Sequence, residues 1–135
     1  STVAYITNIT SSNENGTYYL GETIYIEVHF SDNVTVIGKP KFFMEVGGGS
    51  TFPALYLPGS EKAVALVFIY TVKISHVSQD LKYSWEQGQK YQFSGGEIID
   101  NSTNKKAVLI LPVPGSTGSL SANKDFKIRD FSKPD

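Results

Sequence analysis

The chain has 135 residues, 12 Lys and Arg against 13 Asp and Glu, and no cysteine. That length fits one domain able to bury a core without metal or disulfide staples. The balanced charge gives no field for nucleic acid or anionic lipid, and the missing cysteine excludes disulfides, thiolate metal sites and a thiol nucleophile. No run of about 18 apolar residues exists, so no membrane span is expected. The opening STVAYITNIT lacks the basic start and apolar stretch of a signal peptide, which predicts a mature protein or a piece of a longer one. Tyr 8, Phe 8, Gly 12 and Pro 6, with abundant Ser, Thr, Val and Ile, favour strands and turns over helices.

Val3 to Ile9 reads as a first strand, at an edge. Asn15-Gly16 follows as a turn, because both residues tolerate positive φ. Glu22 to Ser31 alternates cleanly: Ile24, Ile26, Val28 and Phe30 on one face, Tyr25, Glu27, His29 and Ser31 on the other. That pattern predicts a strand with one face to the core and one to water. Asp32-Asn33 opens a turn or short edge segment with Val34 and Val36 alternating. Lys41 to Val46 is a strand closed by Gly47-Gly-Gly-Ser50. Thr51 to Leu57 contains Pro53 and is expected at an edge. Lys62 to Ile74 is apolar on both faces, so it is central or has something more covering its outer face. Short strands are expected at Asp80 to Tyr83 and Glu97 to Ile99, then at Lys106 to Leu111, with Asp125 to Asp130 closing the domain.

Turn signals about every ten residues predict an all-β fold, an antiparallel β-sandwich with Greek-key connections. No linker divides residues 1–135, which read as one unit, and 131–135 reads as a junction to a following one.

Several phrases, in order, resemble the Ig-like, cadherin-like tandem repeats of large microbial extracellular adhesins, from bacteria, cyanobacteria and archaea. They are Asn15-Gly-Thr-Tyr18, Gly21-Glu-Thr-Ile24, Val34-Thr-Val36, Phe68-Ile-Tyr-Thr-Val72 and Asp80-Leu-Lys-Tyr83. Toward the end come Gly95-Gly-Glu-Ile-Ile-Asp100, Leu111-Pro-Val-Pro-Gly115 and Gly118-Ser-Leu-Ser-Ala-Asn-Lys124. Together they cover nearly the whole chain. The resemblance implies an Ig-like sandwich in an extracellular surface protein, stalk or filament, with neighbouring copies as partners. Asn101-Ser-Thr-Asn-Lys-Lys106 is less acidic than the matching loop of many relatives, which weakens a calcium inference.

Candidate chemistry is sparse. His29 is expected to face outward from its strand and His76 to lie in a polar loop, each solvated or locally hydrogen-bonded. No nucleophile elbow, phosphate loop or metal-spaced His pair is present, so no catalytic residue is assigned and the chain does not read as an enzyme. Asp100, Asp130 and Asp135 are candidates for calcium, which needs six to eight oxygens; the opposing reading makes them turn residues bonding their own backbone. Asn8, Asn15, Asn33 and Asn101 each begin Asn-x-Ser/Thr, the N-glycosylation tripeptide. Tyr18, Tyr19, Tyr25, Tyr56, Trp85 and Tyr91 could stack on a sugar. Trp85 is the foremost contact candidate, against the reading that it covers the end of the core. The expected function is a non-catalytic structural or adhesive module, a rigid spacer or a polymerising unit; Val3 to Ile9 folds back on its own domain by default, and its exchange between copies is the sharper hypothesis that would make a filament. The alternative is a carbohydrate- or ligand-binding module recognising cell-surface or matrix glycans.

Overall fold

The computed structural model describes residues 2–60, 64–87 and 92–135. In chain order these form β1 (Ile6–Ser11), β2 (Gly16–Tyr18), β3 (Thr23–Phe30), β4 (Val34–Glu45), β5 (Thr51–Tyr56), β6 (Ala65–Thr71), β7 (Ser94–Asp100), the single-turn helix α1 (Leu120–Asn123) and β8 (Phe126–Ile128). The chain is nearly all β, as its composition predicts.

The alternation read in the sequence becomes the central ladder. β3 and β6 pair antiparallel from Thr23 opposite Thr71 to His29 opposite Ala65. Ile24, Ile26, Val28 and Phe30 point inward beside Leu66, Phe68 and Tyr70, and all seven are buried. Burying a side chain of this size stabilises the fold by about 1.5–3 kcal/mol. β6 is central, between β3 and β5, in a six-stranded antiparallel sheet ordered β1-β3-β6-β5-β4-β7. Phe42 sits at the middle of the core, with ring centroids 5.0 Å from Phe68 and 5.2 Å from Phe93.

The two edges of that sheet meet through one more segment. Ala107 donates its N–H to the Ile98 carbonyl in β7, and Val108 donates to Ala4, just before β1. Tyr5 and Val108 form a parallel bridge, and Ile99 and Lys106 an antiparallel one. The hydrogen-bonded circuit therefore returns to its start. A separate parallel pair, β2 with β8, lies against residues 78–81: Ser78 and Ile128 exchange hydrogen bonds, and Leu81 donates to Phe126. Tyr83 then bridges Met44 of β4. Phe126, Ile128, Leu81 and Tyr83 belong to the same core as the large sheet.

Several expectations change. The first strand runs Ile6–Ser11, three residues later at its start and two at its end than Val3 to Ile9, and it pairs with β3. The Val34–Val36 segment and Lys41–Val46 are one strand, bent where its pairing with β7 shifts register between Gly38 and Lys41. Thr51 to Leu57 is not an edge strand. β5 lies between β4 and β6, and Pro53 is tolerated because the ladder to β6 holds only Leu55 and Tyr56. Asp80 to Tyr83 and Lys106 to Leu111 make isolated bridges in place of full strands. Gly16 begins a strand, not only a turn. Helix α1 has no counterpart among the expected elements; Ser119 caps it, its hydroxyl accepting from the Ala122 N–H at 3.2 Å. Lys62 and Ala63, at the start of the expected long strand, lie outside the described residues.

The Gly95-Gly96 phrase has a steric cause. β4 and β7 approach so closely at the register shift that a Cβ on Gly96 would stand 2.6 Å from the Ile37 carbonyl oxygen and 2.7 Å from Pro40. Both obstacles are backbone or ring, so neither can swing away. Gly96→Ala is expected to destabilise the protein by about 3 kcal/mol. Gly48→Ala, at φ +60° in open space, is expected to cost only about 1 kcal/mol. Denaturant midpoints of the two variants check the contrast.

Candidate functional site

Three places concentrate polar or aromatic chemistry. The first is the end of the molecule where β3 finishes. Asn33 and Asn101, distant in sequence, meet there: the Asn101 N–H donates to the Asn33 carbonyl at 3.0 Å, and the Thr35 hydroxyl donates to the Asn101 side-chain oxygen. Asp32 accepts from the Ser102 hydroxyl at 2.9 Å. Both asparagines are exposed. Two N-glycosylation tripeptides thus share one surface, with the threonine of one bonded to the asparagine of the other. Asn15 is exposed beside β2, its oxygen accepting from the Asp125 N–H at 2.8 Å. Asn8 is half-buried in β1 and accepts from Asn123 at 2.8 Å.

Asp100 closes the same loop. It is buried, and its carboxylate accepts from the Thr103 hydroxyl at 2.6 Å and from the Ser102 N–H at 3.3 Å. The Thr103 hydrogen bond, helped by backbone N–H groups and opposed by burial, holds its pKa below the ordinary carboxylate value. Its oxygens already serve the turn from Asn101 to Asn104. Asp130 adjoins Phe131, whose carbonyl meets Leu20 at the far end of β3 from Asp100, so the three do not converge on one ion. Among the described residues no group of three or more His, Cys, Asp or Glu side chains could hold a metal. The donor set does not fit calcium.

The second place is a cleft of about 230 Å³ floored by Phe93, Ile98, Ala107 and Leu109, with the Glu97 carboxylate and Lys106 ammonium 3.0 Å apart on its wall. Its floor is apolar and its single ion pair is largely solvated. Trp85 stands apart from that wall, half-buried against the core, its indole N–H donating to the Leu111 carbonyl at 3.2 Å. Tyr83 donates to the neighbouring Pro112 carbonyl. Among the other aromatic candidates, Tyr56 is buried, Tyr18 packs edge-on to Phe126, Tyr19 contacts Phe131, and Tyr25 is exposed. Tyr91 lies outside the described residues.

The third place is inside the protein. His76 was expected in a polar loop, yet it is only 6 % exposed. Its ring stacks on Tyr70 and meets Phe52 edge-on. The Lys73 N–H can only donate, so His76 Nδ1 accepts it at 3.2 Å and the ring proton sits on Nε2. The Tyr70 hydroxyl also lies 2.7 Å from Nδ1. Nothing local in the sequence reveals this, because Phe52 and Tyr70 come from β5 and β6. Burial first, and the Lys73 charge second, hold the His76 pKa below its ordinary value of 6.5.

Comparison of the chain with family models, curated proteins and solved structures finds no match.

The His76 environment sets a pH response. Its folded pKa lies below the unfolded one, so the unfolded chain binds more protons as pH falls. The stability it contributes is complete above about pH 6.5 and is lost as pH drops through the folded value. The thermal midpoint is expected to fall between about pH 7 and pH 5, and His76→Phe is expected to flatten that slope. Melting curves across this range measure both.

Proposed function

We propose that this chain is a non-catalytic structural module of an extracellular surface protein, stalk or filament, acting as a rigid spacer between neighbouring copies of an Ig-like unit. One observation carries the reading: the two ends of the chain leave from opposite ends of β3. Ser31, just past β3, donates its N–H to the Tyr5 carbonyl; Leu20, just before β3, donates to the Phe131 carbonyl. Eight residues at about 3.4 Å each put those points roughly 27 Å apart. Units joined end to end through such points add length with every copy.

The pairing of the outermost strands suits a load along that line. β1 starts at one end of the molecule and β8 runs toward the other, so tension draws each lengthwise. β1 is held by β3 over Ile6 to Ser11. β8 is held by β2 in parallel, with Tyr18 and Phe126 in edge-to-face contact at 5.3 Å and the Arg129 N–H donating to Tyr18. A lengthwise pull loads the bonds of each ladder together, whereas a sideways pull opens them one by one. The order of sequence phrases resembling tandem adhesin repeats agrees with this reading.

A second reading, a carbohydrate-binding module, rests on the cleft beside Phe93, where that one ring in an apolar floor and the Glu97–Lys106 pair offer stacking and hydroxyl partners to one small ring. On a glycan array it predicts binding that Phe93→Ala removes; the spacer reading predicts no binding.

The spacer reading is tested by joining two copies C-terminus to N-terminus. Small-angle scattering is expected to give a maximum dimension longer than a single unit by at least about 25 Å; a compact pair would overturn it. In single-molecule extension, Tyr18→Ala is expected to lower the unfolding force, while Tyr25→Ala, on the outer surface, leaves it unchanged.

A further inference from the structure

β6 is apolar on both faces, and only its inner face is filled. On the outer face the registers align one row across four strands: Tyr25 of β3 opposite Ile69 of β6, Ile69 opposite Leu55 of β5, and Leu55 opposite Lys41 of β4. Tyr25 is 43 % exposed and Leu55 47 % exposed. The next row begins with Glu27 and Val67, which pair across β3 and β6. Lys39 is exposed two residues before Lys41, with buried Pro40 between them. The face is therefore apolar at its centre, with Glu27, 3.2 Å from His29 of the same strand, toward β3, and Lys39 and Lys41, with Glu45 farther along, on β4.

We infer that this face binds a second copy of the same chain, the two outer sheets packing around a two-fold axis parallel to the strands. An axis running between β6 and β5 is the one that the charges favour. It sets Ile69 against the partner's Leu55, Tyr25 against the partner's Lys41, and Glu27 against the partner's Lys39, and then repeats each contact in reverse. The centre removes apolar side chains from water, the Tyr25–Lys41 contact places a cation on a ring face, and opposite charges close both flanks. A shift that brought Glu27 onto Glu27 would be repulsive, so the charges select the register.

This axis keeps both copies pointing the same way along their length. The inference builds on the spacer reading only in its consequence: units in two neighbouring stalks would pair side by side and in step. The pairing itself needs no tandem array and is measured on the single unit.

Sedimentation velocity on the intact chain, from about 10 µM to about 1 mM, tests it. The wild type is expected to show a monomer–dimer equilibrium. Leu55→Glu, whose side chain faces water in the monomer, is expected to weaken dimerisation at least roughly ten-fold with its melting temperature preserved. Tyr25→Ser is expected to act in the same direction, which guards against misfolding of the first variant. Glu27→Lys weakens the dimer, and Glu27→Lys combined with Lys39→Glu restores it. A wild type that stays monomeric throughout overturns the inference and leaves the spacer reading standing. A dimer indifferent to Leu55→Glu and Tyr25→Ser overturns it in favour of another contact, such as exchange of β1. Failure of the double charge reversal to recover the dimer overturns the proposed register.

Discussion

The ladder between β3 and β6 is the constraint from which the other features follow. Its register, Thr23 opposite Thr71 through His29 opposite Ala65, decides which side chains are inside. A slip of one residue would turn Ile24, Ile26, Val28 and Phe30 to water and bring Tyr25, Glu27 and His29 into the core. Because the inner set packs against Phe42, Met44 and Tyr83, such a slip has no compensating arrangement. The same register aligns Tyr25, Ile69 and Leu55 on the outside, and the direction of β3 separates the two ends of the chain. Core, outer face and long axis are three results of one pairing.

The sequence made that ladder readable because β3 is bounded by water on one side and by the core on the other. Where alternation reports burial without a full ladder, the reading goes astray. Leu81 and Tyr83, and Ala107, Leu109 and Leu111, are buried in alternation, yet each segment makes only isolated bridges to its neighbours. Pro53 misleads for the opposite reason: the rule that keeps proline at edges concerns a missing N–H, and here the neighbouring ladder stops short of it. β2 has three residues and a partner more than a hundred positions away, so no local signal marks it.

Site chemistry was legible as residue types and not as neighbourhoods. The tripeptides at Asn33 and Asn101 are visible in the sequence, but their meeting depends on the pairing of Val34 with Asp100. In the sequence Asp100 reads as a turn residue ahead of a ligand, and its loop does occupy both oxygens. His76 lies in a stretch of polar residues, and only the convergence of β5, β6 and the turn after β6 draws it inside. Spacing along the chain carries no information about contacts of that kind.

The circuit that returns to β1 has a bearing on synthesis. β1 can pair with β3 early, but the Ile9 N–H waits for Gly118 and its carbonyl for Asn123, and the Ala4 carbonyl waits for the Val108 N–H. A ribosome delivers those partners last. Until they emerge, the first strand has one flank unoccupied, and loop closure over more than a hundred residues makes the final step slow. Where similar units follow one another, that open flank is the place at which the corresponding segment of a neighbour would compete. Translation rate and chaperone access, as much as the finished contacts, then govern how faithfully each copy closes on itself.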